Sequence, residues 1–245
     1  MISVTILVKN GARRLREVLD ALARYDDVVV FDTGSSDATL DIARTYPNVS
    51  LFQAPFTGFG PCHNAAAGLA QHDWILSIDS DEVVSTELAD AIDCIALDTH
   101  AVYSLPFQNY YNGKLIKWCG WYPEQHIRLY NRNTTAFSEA LVHEGVISTG
   151  LRVIELQHPV LHYPYESISD FLVKMERYST LFAKQYYKKR KSSPLIALMH
   201  GAAAFSKSFI LKRGFLGGYE GFLISAYNGH TAFYKYLKLY QANQS

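Results

Sequence analysis

Residues 3–8 form an almost unbroken apolar, β-favouring run, the pattern of a strand covered on both faces of a parallel sheet. Leu15, Val18, Leu19 and Leu22 then recur at helical spacing, and residues 28–31 make a second strand that ends on Asp32. Thr33, Gly34, Ser35 and Ser36 form a turn, with Ser36 placed to cap a helix over 37–46 that Pro47 and Asn48 terminate. A third strand over 49–52, a helix over 62–71 and a fourth strand over 74–78 complete a βαβα alternation, which predicts an α/β fold. The fourth strand delivers Asp79, Ser80 and Asp81 to its C-terminal end, the edge at which open α/β sheets bind ligands.

After a helix over 87–97 the pattern changes to short aromatic strands over 102–107, 126–130 and 151–156, with a turn at Asn112 and Gly113. They read as antiparallel additions to the sheet. From Ile168 the chain is helical again, and a basic hinge over 188–191, followed by Ser192, Ser193 and Pro194, separates one helix from a later pair. The expected division is an α/β domain over 1–165, itself split near residue 100, and a helical extension over 166–245.

A hydrophobic share of 49% with 19% charged residues describes an ordinary globular chain. Three widely spaced cysteines suggest neither a disulfide framework nor a CxxC metal site, and a reducing cytoplasm follows. The N-terminus reads as a buried strand rather than a signal peptide. The most apolar stretch, 193–206, carries His200 and falls short of the ~20 residues that span a bilayer, so the chain is expected not to cross a membrane.

The formal net charge of zero conceals a division, because residues 1–173 sum to −10 and residues 174–245 to +10. An anionic partner for the C-terminal part follows, unless the two halves simply neutralise each other. Lys188, Lys189, Arg190 and Lys191 lack a reading motif for nucleic acid. The mixture of Phe205, Phe209, Phe215 and Phe222 with Lys207, Lys212 and Arg213 on amphipathic helices suits anionic lipid headgroups, although helices packed on a catalytic domain with their lysines in water would show the same pattern.

Asp79, Asp81 and Glu82 place three carboxylates in four positions, an arrangement that is electrostatically costly without a cation. Hard oxygen ligands suit Mg²⁺ or Mn²⁺, and such an ion would bridge the phosphates of a nucleotide-sugar and act as a Lewis acid on the departing diphosphate. Asp32, at the end of the second strand, is placed either to accept hydrogen bonds from a uracil or ribose or to cap its own turn.

Together, Leu7-Val8-Lys9-Asn10, Val30-Phe31-Asp32-Thr33-Gly34-Ser35-Ser36-Asp37, Phe56-Thr57-Gly58-Phe59-Gly60 with Asn64, and Asp73 through Glu82 resemble the family 2 glycosyltransferases of GT-A fold, and among them the bacterial lipopolysaccharide-core β-1,4-glucosyltransferases. The resemblance continues through His126-Ile127-Arg128-Leu129-Tyr130, Val142-His143-Glu144, Leu161-His162-Tyr163 and Gly214-Phe215-Leu216. It implies a Rossmann-like mixed sheet flanked by helices, residues 1–100 as the nucleotide-sugar half and 101–165 as the acceptor side, plus C-terminal amphipathic helices. It further implies inverting transfer of a hexose, with glucose from UDP-glucose as the expected donor, to an inner-core or related glycolipid at the inner face of the cytoplasmic membrane. Val8, Asn10, Asp32, Asn64, Asp79, Ser80, Asp81 and Arg128 would bind the donor, Arg128 facing the diphosphate or an acceptor phosphate. Asp81 and His162 would hold the divalent metal, with His158 and His143 as competitors for the histidine, and Asp79 would reach the ribose or the metal through water. Glu144 would be the general base. One departure stands at Gly217, where relatives commonly carry an aspartate.

Two other readings compete. A nucleotidyltransferase uses a similar acidic site but carries a Gly-rich loop after its first strand, whereas Val8-Lys9-Asn10-Gly11 has one glycine. A non-catalytic membrane- or glycan-binding relative is opposed by the retained Asp79, Asp81 and Glu144.

Overall fold

The structure is a computed structural model that describes residues 1–139 and 145–244. The chain divides into two compact units, residues 1–108 with 124–162, and residues 109–123 with 163–244.

In the first unit, β1 (Ile2–Val8), β2 (Val28–Asp32), β3 (Val49–Gln53) and β4 (Trp74–Asp79) lie parallel in the order β3-β2-β1-β4. β1 and β2 are buried at every position, which explains their unalternating apolar sequence. α1 (Leu15–Ala21) sets Leu15, Val18 and Leu19 into the core, and α3 (Phe59–Leu69) contributes Cys62, Ala66 and Ala67. Each fully buried aliphatic side chain of this kind contributes roughly 1.5–3 kcal/mol.

The helix expected over 37–46 is shorter, α2 (Thr39–Ala43), and Ser36 does not cap it. The N-cap position is Ala38, which has no polar side chain to cap with; Asp37, one residue earlier, accepts the Thr39 N–H at 3.1 Å, while the Ser36 N–H donates to Asn10 Oδ1 at 2.8 Å. A carboxylate two residues before the helix outcompetes the neighbouring hydroxyl, which is committed to the β1 loop.

Beyond β4 come β5 (Glu82–Val84), α4 (Thr86–Cys94), β6 (Ala101–Tyr111), β7 (Lys114–Leu115), β8 (Glu124–Asn131), β9 (Arg152–Glu155) and β10 (Val160–His162). β8 pairs antiparallel with both β4 and β6, as the sequence suggests. β9 instead runs parallel to β6, and β10 runs antiparallel to β5. The apolar pattern of a short strand specifies its faces but not its direction, so β9 could not be oriented from sequence.

In the second unit, β7 forms a hairpin with the end of β6. α5 (Ile168–Tyr186) opens with a capping box in which Ser167 and Asp170 satisfy each other's backbone N–H groups. α6 (Pro194–Ser206) begins at the predicted break but does not stop at residue 206, because a π-helical turn carries the run to Leu211. The resulting 18 residues are long and apolar enough to cross a membrane, by length and composition alone. A 3₁₀ turn over Gly214–Gly217 leads into α7 (Gly218–Gln244). A Cβ on Gly217 would lie 2.7 Å from Trp118 Cδ1, so any side chain at this position requires the indole to shift.

Candidate active site

Parallel pairing sets Val8 opposite Asp32 and Leu7 opposite Asp79, so the ends of β1, β2 and β4 form one edge. The loops after β1 and β2 are tied together there. Asn10, at a φ of 56°, donates its N–H to Ser35 Oγ at 2.7 Å and accepts from Ser36, while the Ala12 N–H reaches Asp37 Oδ2 at 3.1 Å. Gly11 approaches the acidic turn so closely that a Cβ would sit 2.8 Å from Ser80 Oγ, which keeps this position free of side chains.

Val8 is buried, and its carbonyl accepts the Thr33 N–H at 2.9 Å. Asp32 is also buried and accepts the N–H groups of Gly34 at 3.0 Å and Ser35 at 3.1 Å. Burial alone would raise its pKa, but the hydrogen bonds from Ser35 and Gly34 outweigh it and hold the carboxyl below its ordinary value. Of the two roles open to Asp32 in the sequence, turn-capping is the one its hydrogen bonds display.

The acidic turn separates into two parts. On the inner side, Arg128 Nη2 donates to Glu82 Oε1 at 2.6 Å and to Asp79 Oδ2 at 3.0 Å, and Glu82 Oε2 accepts the Asp79 N–H at 2.9 Å. The Arg128 side chain is only 12% exposed, lies over the Phe107 ring, and has a buried Nε with no hydrogen-bond partner among the described residues. Arg128 is therefore neither solvated nor turned outward toward a phosphate; it is the internal counter-ion of the turn. Of the two carboxylates sharing its charge, Asp79 is held ionised, its pKa pulled down to about 2, because Arg128 outweighs the effect of burial. Glu82, wholly buried, is pushed well above the usual range by desolvation and takes up a proton more readily.

His63, on α3, stands behind Asp79 with its Nε2 3.9 Å from Asp79 Oδ1. Its Nδ1 pairs with Ser77 Oγ at 3.1 Å and its ring stacks on Phe137. Burial lowers its pKa to about 4, so the imidazole is neutral near pH 7.

On the outer side, the antiparallel register that sets His162 opposite Glu82 brings His162 Nε2 to 3.8 Å from Asp81 Oδ2. A carboxylate and an imidazole at the rim suit Mn²⁺ or a similar divalent ion. Among the described residues no group of three or more His, Cys, Asp or Glu side chains is arranged to hold a metal, so Asp81 and His162 would be two protein donors of a shell completed by phosphate oxygens and water. His158 is not brought into this group. The three clustered carboxylates called for a cation in the sequence; Arg128 supplies one positive charge to Asp79 and Glu82, and Asp81 is the acid of the cluster to which it donates no hydrogen bond.

Asn64 commits both ends of its amide to the backbone of Phe137, donating to its carbonyl at 3.0 Å and accepting its N–H at 2.8 Å. Phe137 in turn bridges to Val146, and the Ser138 N–H donates to the Gly145 carbonyl, so the segments on either side of 140–144 are held together. Glu144 and His143 lie outside the described residues. Glu82 entered the sequence reading only as the third carboxylate of the cluster, without a role of its own, and His63 was not assigned to the site. A buried acid directly after the strand was the available signal for Glu82; His63 carries no such local mark.

The solved structures similar to this chain share its fold. A mannosyltransferase from Pyrobaculum calidifontis, in complex with GDP-Man and Mn²⁺, superposes with a TM-score of 0.58 at 15% identity over 97% of this chain and 86% of its own. Staphylococcus aureus TarS, in complex with UDP-GlcNAc, gives 0.52 at 15% identity over 94% and 90%. The mixed sheet flanked by helices is thus a GT-A fold, as expected. In sequence, the chain is 28% identical to an uncharacterised glycosyltransferase of Rickettsia prowazekii, over 97% of this chain and 86% of the relative. It is 22% identical, over 98% and 92%, to LpsC of Rhizobium meliloti, a lipopolysaccharide core biosynthesis glycosyltransferase. The sequence model of Glycosyl transferase family 2 matches residues 3–149, a span that encloses Asp32, the Asp79–Glu82 turn and Arg128, and the chain accordingly belongs to that family of glycosyltransferases.

Proposed function

We propose that this glycosyltransferase carries out inverting, divalent-metal-dependent transfer of a hexose, glucose from UDP-glucose in the first instance, to a lipopolysaccharide inner-core or related glycolipid acceptor at the inner face of the cytoplasmic membrane. Supporting the acceptor class is the similarity over 98% of the chain to LpsC, a lipopolysaccharide core biosynthesis glycosyltransferase. Supporting metal and donor class are neighbours of the same fold solved with GDP-Man and Mn²⁺ or with UDP-GlcNAc. The observation that carries the reading is the sheet edge itself, where Asp32, Asp79 and Asp81 converge and His162 meets Asp81.

In this reading residues 1–100 bind the donor, 101–165 face the acceptor, and 166–245 are the helical extension. The ends of β1 and β2 at Val8 and Asp32, with Asn10 in the loop after β1, cradle the nucleoside, and Ser80 lies where the diphosphate passes. Asp81 and His162 would hold the divalent ion, which when bound would offset the charge developing on the leaving diphosphate. Arg128 and Glu82 act as positioning residues that fix Asp79, and Asn64 fixes the segment leading to Glu144. The acceptor oxygen forms a bond to the anomeric carbon, the bond from that carbon to the diphosphate oxygen breaks on the opposite face, and the hydroxyl proton passes to the Glu144 carboxylate.

Glu144→Gln separates binding from chemistry. The variant is expected to bind UDP with Mn²⁺ as tightly as the parent by isothermal titration, and to lose transfer in an assay of nucleoside diphosphate release over a panel of nucleotide-sugars. Strong transfer by the variant places the base elsewhere, and no diphosphate release by the parent from any donor overturns the reading.

A further inference from the structure

The helical unit carries an apolar face turned outward. α6 has no charged residue between Pro194 and Ser206, yet the stripe at helical spacing that would ordinarily be buried is open to solvent: Leu195 is 66% exposed, Leu198 59% and Met199 63%. Ala197, Gly201 and Ser208 are the buried positions of this run, and Gly201 and Gly229 let α6 and α7 approach closely. The face continues beyond the π turn, where Ile210, Leu211, Phe215, Leu216, Tyr219 and Phe222 are all more than half exposed. An apolar furrow of about 540 Å³ runs between the two helices, lined by Leu198, Ala202, Phe205, Phe222 and Phe233.

Lys207, Lys212 and Arg213 are exposed among these side chains. Residues 194–244 contain five bases and one acid, Glu220; that acid is buried and paired with Lys114 at 2.9 Å, and Lys238 is paired with Glu176 at 2.7 Å. The outer face therefore joins exposed leucine, isoleucine and phenylalanine to Lys207, Lys212 and Arg213, which have no carboxylate partner among the described residues, the combination complementary to an anionic bilayer surface.

We propose that the outer face of α6, with the π and 3₁₀ turns that follow it, is a monotopic insertion surface for an anionic lipid bilayer, its apolar side chains entering the acyl boundary and Lys207, Lys212 and Arg213 meeting phosphate headgroups. The run Pro194–Leu211 lies along the surface rather than across the bilayer. Its buried face is committed to α7, and its 18 residues extend about 27 Å, short of a ~30 Å hydrocarbon core. This deepens the reading of a membrane-borne acceptor and rests on it only for its purpose, since vesicle binding is measured without donor or acceptor.

The test is co-sedimentation of the full chain with vesicles of phosphatidylethanolamine and phosphatidylglycerol (3:1) or of phosphatidylcholine alone, with light scattering in lipid-free buffer. Expected are binding to the anionic vesicles, at least about a tenfold loss in the Leu195→Ser/Leu198→Ser/Met199→Ser variant with an unchanged thermal melt, and about a tenfold or greater loss in Lys207→Gln/Lys212→Gln. The surface is overturned by undiminished binding of the triple variant. It is equally overturned if the parent is a dimer that the triple variant disrupts, which makes the face an interface between copies, or if the chain resists alkaline carbonate extraction, which makes the helix a span. Should vesicle binding follow expectation while glycolipids fail as acceptors, the insertion surface stands and the acceptor reading falls.

Discussion

Two halves of one acidic turn, four residues long, behave differently. The inner half, Asp79 and Glu82, is closed in charge rather than in access: Arg128 donates to both carboxylates, His63 stands behind Asp79, and Glu82 is buried although the Asp79 side chain is 36% exposed. The outer half, Asp81, is no more exposed, at 32%, but lies outside the reach of Arg128 hydrogen bonds and faces an imidazole across 3.8 Å. A cluster of carboxylates is not a metal site by count alone; what matters is which acids are already balanced by the protein. Structural ion pairing and ligand capacity are divided between adjacent residues here, and each prediction below sets one half against the other.

The largest contrast is in binding. Asp81→Ala is expected to abolish Mn²⁺-dependent UDP binding by isothermal titration while leaving the urea unfolding free energy within about 0.5 kcal/mol, since Asp81 is partly exposed and holds nothing buried. His162→Gln should weaken the same metal dependence. If Asp79→Ala and Asp81→Ala remove metal-dependent binding equally, the division between the two halves fails.

Arg128→Met tests the inner half. Removing the guanidinium leaves Asp79 without its cation and forces Glu82, already prone to take up a proton, to be buried without its donor; breaking a buried pair from one side costs up to about 3–5 kcal/mol. Urea denaturation should show a loss of that order, and Arg128→Met/Glu82→Gln should recover much of it, because an amide is far cheaper to bury than an unpaired charge. A single variant as stable as the parent would mean that the ion pair is not what holds the turn.

The acids of both halves were legible in the sequence, and the partners that divide them were not. Continuous apolar runs ending in Asp32 and Asp79 mark buried parallel strands and the edge where they stop, so β1, β2 and β4 and the convergence of their acids could be read locally. Arg128 meets Glu82 across 46 residues and Asn64 meets Phe137 across 73, and no periodicity reports a partner at that distance. β5 and β10 are three residues each, too short for a pattern, yet their pairing delivers His162 to Asp81. The outward apolar stripe of α6 was visible as composition. Its direction was not, because a helix whose only polar residues are His200 and the terminal Ser206 gives too little contrast from which to tell the buried side.

The smallest effect separates His63 from its surroundings by pH. A histidine whose folded pKa is lowered from about 6.5 to about 4 stabilises the fold fully above pH 6.5, and that contribution is lost as pH falls toward 4, since the unfolded chain takes up the proton first. Between pH 7 and pH 5 the linkage amounts to about 2 kcal/mol. His63→Gln removes this titration while retaining a polar group toward Ser77, so the variant should lose about 2 kcal/mol less than the parent when urea unfolding is compared at the two pH values. The imidazole behind the closed half then accounts for part of the protein's acid sensitivity. Identical slopes for parent and His63→Gln would show that the imidazole is not held neutral by its burial behind Asp79.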